Sequence, residues 1–252
     1  MTKHAVITGA ASGIGADCCR DLLSRGWTVH GLDLDAEGLK AVAEAGSAGK
    51  GRFIAHPCDV AKTEAVEAAF AEVAKESPAL DALICSAGIF RTGPVLTMSE
   101  ADYDALFAIN TKGAWLAARS ALPLLRKAAT KEAPARVVLV SSAAAIRPKI
   151  GGGAYAASKV ALTYLARVMA SELAGESILV NAIAPASVDT PLTQKLATDK
   201  NYKVSGASPL GRVAFPPDVT AVIRFLLSDD ASYIAGAVLP IDGATTAAFR
   251  PG

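Results

Sequence analysis

Tyr155 and Lys159 are residues whose types and spacing could do acid–base chemistry. They lie four positions apart in a stretch with helical periodicity, 154–173, so their side chains share one helix face. A phenol has an ordinary pKa of about 10 and needs a neighbouring cation to exchange protons near neutrality. Lys159 could supply that charge. The spacing alone is common by chance, so the pair needs support from other residues.

Ser142 provides a first support, because it follows the apolar strand candidate 137–141. Ligands of open α/β sheets bind outside the carboxyl ends of the strands. A hydroxyl at that place could polarise a substrate carbonyl. Ser142, Tyr155 and Lys159 therefore predict one catalytic site.

A glycine-rich loop lies between the strand candidate 4–8 and the helical stretch 13–25. Its glycines permit a tight turn and a close backbone approach to a pyrophosphate, whose charge the helix start can meet. An ordinary glycine turn is the alternative, but a strand-to-helix turn near the N-terminus favours a dinucleotide site. The predicted contacts are Gly9, Ser12, Gly13, Ile14 and Gly15.

Asp33 indicates which dinucleotide is bound. It ends the second strand candidate, 28–33, about 18 residues after the loop, where an acid can accept hydrogen bonds from a ribose and repel a 2′-phosphate. Neither Ala11 nor Ser12 offers a cation for that phosphate. The sequence therefore favours NAD over NADP. Asp35 is a competing acid, but its place before Ala36 predicts a helix cap.

Short β-rich runs alternate with helical stretches, which predicts an α/β fold with a doubly wound, seven-stranded parallel sheet. No linker divides residues 1–252, so we expect one domain. The segment 186–212 lacks clear periodicity apart from helix propensity at 192–197, which predicts a substrate lid, with a flexible surface loop as the alternative. Strands are expected at 4–8, 28–33, 52–57, 82–85, 137–141, 179–184 and 238–241, and helices at 13–25, 63–75, 99–127 with a possible break at 111–113, 154–173 and 217–227.

The composition excludes several classes of protein. A formal net charge of +1 without long basic runs argues against binding of nucleic acid or membrane surfaces, so a small-molecule partner is expected. The sequence shows no signal-peptide pattern and no run of about 20 apolar residues, which predicts a cytoplasmic protein. The scattered cysteines lack metal-ligand spacing, so no metal is predicted and reduced, buried thiols are expected at Cys18, Cys19, Cys58 and Cys85.

Taken together, the glycine loop, Asn110, Ser142, Tyr155 and Lys159 resemble the short-chain dehydrogenase/reductase family, and the similarity extends over essentially the whole chain. The resemblance implies a Rossmann-like fold, usually assembled as a homotetramer. It implies that Tyr155 is the acid and base, that Lys159 lowers its pKa and holds the nicotinamide ribose, and that Ser142 orients the substrate oxygen. Asn110 would hold a water in a proton relay.

Further positions match the family. The resemblance implies an adenine site at Asp59 and Val60, a main-chain contact with the cofactor at Ala87 and Gly88, and a nicotinamide-binding turn at Pro185, Val188 and Thr190. Two positions depart from it. Cys85-Ser86 stands where many members carry two asparagines, and Ala186 stands where glycine usually follows the proline.

The substrate pocket is expected to include Ala144, Ile150 and Ala186, with small alanines beside the reacting carbon and Ile150 as an apolar wall. Four cations could meet an anionic substrate group or could be solvated surface charges: Arg91, Arg147, Lys149 and Lys195. The three histidines lie on or beside strands and are not expected to be catalytic.

These features predict reversible hydride transfer between NAD(H) and a secondary alcohol/ketone pair, with oxidation as the preferred direction. One alternative is an NADPH-dependent carbonyl reductase, such as a 3-oxoacyl reductase, against which Asp33 argues. Another is a non-catalytic NAD-binding regulator, against which the intact set of Asn110, Ser142, Tyr155 and Lys159 argues.

Overall fold

The computed structural model describes residues 2–46, 49–199 and 202–248. Its sheet has seven strands: β1 (His4–Thr8), β2 (Thr28–Asp33), β3 (Arg52–Pro57), β4 (Ala82–Cys85), β5 (Ala135–Val140), β6 (Ile178–Pro185) and β7 (Val238–Ile241). All are parallel, in the order β3-β2-β1-β4-β5-β6-β7. The order reverses between β1 and β4, which opens a crevice at the carboxyl ends of the strands.

Helices cover both faces of this sheet, which is why its central strands are apolar along their length rather than alternating. Every residue of β4 and β5 is buried. The helices are α1 (Gly13–Ser24), α2 (Ala36–Gly46), α3 (Thr63–Glu76), α4 (Glu100–Phe107), α5 (Ala114–Ala128), α6 (Gly153–Leu173), α7 (Pro191–Ala197) and α8 (Pro216–Leu226). One core contains side chains of α1, α2 and α8, and the other contains side chains of α3, α5 and α6.

The predicted doubly wound parallel sheet is confirmed, and most strand bounds agree with the structure. β5 begins two residues before its predicted start and ends one residue before its predicted end, while β6 is longer by one residue at each end. Asp35 caps α2 as expected, since its Oδ1 accepts from the Gly38 N–H at 3.0 Å. The expected small helix in the segment 186–212 is α7.

The long helical stretch predicted at 99–127 is divided. Ser99 caps α4 by accepting from the Asp102 N–H, and a π-helical segment, Ala108–Gly113, joins α4 to α5. π-helical turns shift the register of a helix and often occur at functional sites. Here the segment contains Asn110 and covers the possible break that the sequence predicted at 111–113.

The four cysteines are buried and free, as predicted. Cys18 and Cys19 lie in the core under α1, and Cys58 and Cys85 lie in the core on the other face. Within the described residues, no helix is long and apolar enough to cross a membrane.

Candidate active site

A cavity of about 1130 Å³ follows the carboxyl ends of the strands, from the end of β2 to the segment 186–212. It is large enough for a dinucleotide and a small substrate together. Most residues that the sequence predicted line this one cavity: Gly9, Ser12, Gly13, Ile14, Asp33, Asp59, Val60, Ala87, Gly88, Ser142, Ala144, Tyr155, Lys159, Pro185, Ala186, Val188 and Thr190.

Three predicted residues do not line the cavity. Gly15 packs inside the fold, where an added Cβ would lie 2.0 Å from the Gly9 carbonyl oxygen, so it allows α1 to approach the loop. Asn110 is fully buried behind the wall. Ile150 is 98% exposed and points into solvent rather than forming an apolar wall, which corrects the expectation for this residue. It sits at the tip of a loop, where no neighbour covers it.

The glycine loop leaves the start of α1 open to an anion. Gly9 has a φ of +69°, and a Cβ there would lie 2.7 Å from the Ala87 main-chain nitrogen, so the two loops touch backbone to backbone. The Ser12 side chain does not cap α1, and the first turn of the helix carries no acidic residue. The first N–H groups of α1 can therefore hold a pyrophosphate.

Asp33 is held rigidly at the end of the cavity formed by β2 and β3. Its two carboxylate oxygens accept from the main-chain N–H groups of Ala11 and Asp35, each at 3.0 Å. Free lone pairs remain for ribose hydroxyls. The described residues that follow β2 and β3 and line this end include no lysine or arginine: Leu34, Cys58, Asp59 and Val60.

Tyr155 stands in the first turn of α6 and faces the cavity. The Phe90 ring lies over its ring, with the centroids 4.3 Å apart. Burial raises the pKa of Tyr155 to about 12, a hydrogen bond from the Ser142 side chain lowers the pKa, and Tyr202 raises it. Burial is the largest of these effects, and the hydrogen bond from Ser142 opposes it.

Lys159 lies one helical turn after Tyr155, with its ammonium 5.9 Å from the centre of the phenol ring. The ammonium donates to the Val140 carbonyl at 2.9 Å. Burial lowers the pKa of Lys159 to about 8. A Cβ on Gly88 would lie 3.3 Å from the ammonium, so a glycine at that position leaves room for the lysine.

Asn110 acts on this pair through Ser158, which the sequence did not single out. The Asn110 Nδ2 donates to Ser158 Oγ at 3.0 Å, and Ser158 Oγ donates to the Tyr155 carbonyl at 2.7 Å. The remaining amide positions bond the main chain of Ile89. Both Nδ2 protons of Asn110 are thus used, and its Oδ1 accepts one main-chain hydrogen bond.

The two departures from the family pattern cause small local changes. The Cys85 thiol makes a long contact of 3.7 Å with the Ala114 carbonyl. The main chain after β4 is instead tied to β1, since the Ala87 N–H donates to Thr8 Oγ1 at 3.2 Å. The Ala186 N–H donates to the Ile241 carbonyl at 3.1 Å, which holds its methyl group at the cavity wall.

Two of the four candidate cations for an anionic substrate group line the cavity, and two do not. Arg147 and Lys149 line the cavity, whereas Arg91 forms an ion pair with Asp102 at 3.0 Å and Lys195 lies off the wall. None of the three histidines lines the cavity, as expected for residues without a catalytic role.

The site is thus a nucleotide cradle joined to a tyrosine, a lysine and a serine at the carboxyl edge of a parallel sheet, which defines a dinucleotide-dependent oxidoreductase. The family model described as "Enoyl-(Acyl carrier protein) reductase" matches residues 9–246. The chain belongs to the short-chain dehydrogenase/reductase family. The prediction of this family, and of an oxidoreductase for a secondary alcohol or ketone, is confirmed.

Two curated relatives and one solved structure show how closely the chain resembles known proteins. A 3-oxoacyl-(acyl-carrier-protein) reductase of Thermotoga maritima is 34% identical over 96% of each chain. A D-threitol dehydrogenase of Mycolicibacterium smegmatis is 36% identical over 97% of this chain and 93% of its own. A 3-ketoacyl-(acyl-carrier-protein) reductase from Brucella melitensis, solved in complex with NADH, is 28% identical with a TM-score of 0.87 over 97% of this chain and 98% of its own.

Proposed function

We propose that the protein is an NAD(H)-dependent dehydrogenase that interconverts a secondary alcohol and a ketone. The observation that carries the proposal is one cavity that joins the open start of α1, the carboxylate of Asp33 and the cluster of Ser142, Tyr155 and Lys159. A bound nicotinamide would accept the hydride in oxidation and return it in reduction.

Residues along the cavity would hold the dinucleotide. Main-chain groups from Ser12 to Ile14 would bind the pyrophosphate, and Asp59 and Val60 would meet the adenine. Thr190 supports this placement, because its methyl lies 3.2 Å from the position of a Cβ on Gly13, across the phosphate cradle. The nicotinamide end would lie against Pro185, Val188, Ala87 and Gly88, and Lys159 would hold its ribose.

The preference for NAD over NADP rests on charge. A 2′-phosphate beside Asp33 would meet a carboxylate and no neighbouring cation, which costs binding free energy. The relative from Brucella melitensis, which was solved with NADH, supports the same choice. The alternative is an NADPH-dependent carbonyl reductase. The similarity to the 3-oxoacyl reductase from Thermotoga maritima supports a 3-oxoacyl substrate for that alternative.

Tyr155 would exchange the proton with the substrate oxygen, and Ser142 would donate a hydrogen bond to the same oxygen. In oxidation the phenolate takes the hydroxyl proton, and in reduction the phenol returns it. The raised pKa keeps the phenol protonated in the ligand-free protein. A positive charge brought close by bound oxidised nicotinamide, together with Lys159, would lower that pKa.

The test is a spectrophotometric assay at the NADH absorption band with a panel of alcohols and ketones and with both cofactors. We expect turnover with NAD(H), and loss of at least about 100-fold in kcat for Tyr155→Phe. Tyr233→Phe, at a fully exposed tyrosine away from the cavity, is the matched control and should retain full activity. No turnover of any compound, with NADH still binding, would favour the non-catalytic regulator.

We also propose a homo-oligomer, in keeping with the tetramer that the family resemblance implies, and a cytoplasmic location. Supporting the oligomer, α6 exposes an apolar row with four-residue spacing, formed by Val160, Tyr164 and Val168. Sedimentation of the purified protein tests the assembly, and a single monomeric species at micromolar concentration would contradict it. Fractionation of the source cells tests the location.

A further inference from the structure

The rings of Tyr155, Phe90 and Tyr202 form a row that joins the catalytic tyrosine to the segment 186–212. Phe90 lies between Tyr155 and Tyr202, with ring centroids 4.3 Å from the first and 5.1 Å from the second. All three rings line the cavity. A Cβ on Gly152 would lie 3.5 Å from the Tyr202 hydroxyl oxygen, so this phenol reaches the start of α6. The cavity surface next to the Tyr155 ring is therefore an aromatic wall, formed by Phe90 and Tyr202.

Lys149, which lies just before α6 and beside Tyr202, holds this wall in place through a set of contacts that we call the latch. Its ammonium donates to the Lys203 carbonyl and to Ser205 Oγ, and lies 4.9 Å from the centre of the Tyr202 ring. A second tie is made by the Thr92 hydroxyl, which donates to Asp199 at 2.5 Å. The contacts flank Tyr202 in the sequence, so they fix its ring over Phe90.

Aliphatic side chains also line the cavity. They include the methyl groups of Ala144 and Ala186 and two leucines of α7, Leu192 and Leu196. The Lys149 ammonium is engaged by the latch. Two other cations, Arg147 and Arg212, line the same cavity, and Arg212 is paired with Asp218.

We propose that the Phe90–Tyr202 wall is the specificity determinant of the site and selects compact, ring-shaped secondary alcohols and cyclic ketones. This inference rests on the proposed function. A flat or chair-shaped ring can pack against the aromatic wall, and burial of its apolar faces there and against the aliphatic lining drives binding. An open chain of equal carbon number loses more conformational freedom when it enters the same space.

The same latch would disfavour binding of an acyl thioester. Lys149, Tyr202 and Ser205 line the cavity, and the Lys149 contacts that join them narrow the space that a long thioester chain would need. Its entry therefore requires those contacts to break. The latch would therefore favour a compact alcohol substrate over a carrier-bound oxoacyl substrate, although both would undergo the same reaction at Tyr155.

The test compares cyclohexanol with 2-hexanol, which has the same number of carbons, in wild type and in variants of Tyr202. We expect Tyr202→Ala to lower the ratio of kcat/KM for cyclohexanol over 2-hexanol by about tenfold, and Tyr202→Phe to stay within about twofold of wild type. Tyr233→Ala changes a tyrosine that is fully exposed, so it serves as the matched control. An unchanged ratio in Tyr202→Ala overturns the proposal.

Lys149→Ala tests the latch with acetoacetyl-coenzyme A as the thioester. Its kcat/KM relative to cyclohexanone should rise by about tenfold when the latch is removed. Wild-type protein that prefers the thioester over cyclohexanone would refute the selection.

A binding measurement separates this inference from the proposed function. Cyclohexanone and 2-hexanone are titrated into protein saturated with NAD⁺, where no hydride is available and no turnover is needed. Tighter cyclohexanone binding that Tyr202→Ala abolishes supports the wall, even if the assay shows no turnover and the proposed function fails. Equal binding of both ketones contradicts the wall, whatever the assay shows.

Discussion

The Lys159 ammonium donates a hydrogen bond of 2.9 Å to the main-chain carbonyl of Val140, the last residue of β5. This bond ties the first turns of α6 to the strand end that precedes Ser142. It keeps the ammonium inside the cavity wall, where burial lowers the pKa of Lys159 to about 8 from an ordinary value of 10.5. Helix, strand end and charge are therefore set before any ligand binds.

The first prediction concerns Lys159→Met, which removes the buried charge and keeps a chain of similar length. Because the folded pKa is below the ordinary value, the unfolded chain binds an extra proton between pH 8 and 10.5, so wild-type stability gains from a rise in pH across that range. The variant lacks this gain. We measure the free energy of unfolding by urea at pH 7.5 and pH 9.5. Between these pH values it should rise by about 1 kcal/mol or more in wild type relative to the variant. Identical shifts in the two proteins would contradict a depressed lysine pKa, and kcat of the variant should fall sharply.

Ser158→Ala is predicted to weaken catalysis without removing a group that touches substrate. The variant loses the link from Asn110 to the Tyr155 carbonyl and leaves one amide proton of Asn110 without its serine partner. We expect kcat to fall by about tenfold, with KM for NAD⁺ nearly unchanged and a shifted pH profile. Ser158→Thr should restore much of the rate. A variant that loses only stability, with kcat and pH profile intact, would assign Ser158 a structural role alone.

Gly9→Ala is expected to damage both folding and cofactor binding. The residue has a φ of +69°, and the new methyl would meet the Ala87 main chain at 2.7 Å. Strain of this kind costs about 1–3 kcal/mol, and the loop must shift where the pyrophosphate would bind. Gly175→Ala is the control, because nothing lies within 4 Å of the added atom. Thermal unfolding and NADH fluorescence titration measure the two effects, and equal behaviour of both variants would argue against the close approach.

Asp33→Ala is predicted to shift the cofactor preference towards NADP. The change removes a carboxylate that two main-chain N–H groups orient into the cavity. The ratio of Kd for NADPH over NADH should fall by about tenfold or more. Asp35→Ala removes a helix-capping acid close by, and should lower stability while leaving that ratio unchanged. Wild type that binds NADPH more tightly than NADH would overturn the assignment of NAD.

A chain of buried side chains gives the protein a pH dependence of its own. His30 bonds His56 Nε2 at 2.9 Å and Ser77 Oγ at 2.7 Å, and Ser77 also bonds His4 at 2.6 Å. Burial, followed by the charges of His56, His4 and Arg52, lowers the pKa of His30 from 6.5 to about 3. The unfolded chain therefore binds more protons between these values, and stability is lost as the pH falls below 6.5.

The measurement is urea unfolding of wild type and His30→Gln from pH 7.5 to pH 4.5. Each proton that the unfolded chain gains lowers stability by about 1.4 kcal/mol per pH unit, so the wild-type slope should exceed that of the variant by about one proton. His56→Gln, at the end of the chain, should produce a smaller change. Parallel slopes in wild type and His30→Gln would remove His30 as the origin of the acid sensitivity.

Local rules were enough to predict the main parts of the fold and much of the candidate site. The four-residue spacing of Tyr155 and Lys159 puts both on one face of α6. Asp33 is the last residue of β2, and ligands of such sheets bind outside the carboxyl ends of the strands. Asp35 could be separated from Asp33 by its capping position. These inferences depend on residues that lie close together in the sequence, where helix and strand geometry leave little choice.

Only the tertiary structure decided which distant loops meet at the site. Phe90 and Tyr202 are more than 100 positions apart and carry no motif, yet their rings form the wall beside Tyr155. Ile150 has the composition expected of a pocket residue and is nevertheless solvent-exposed, while the Asn110 amide is taken by Ile89 and Ser158. Periodicity sets the direction of a side chain within its own element. What covers that side chain depends on how loops from separate elements close over the sheet, and no local spacing encodes that closure.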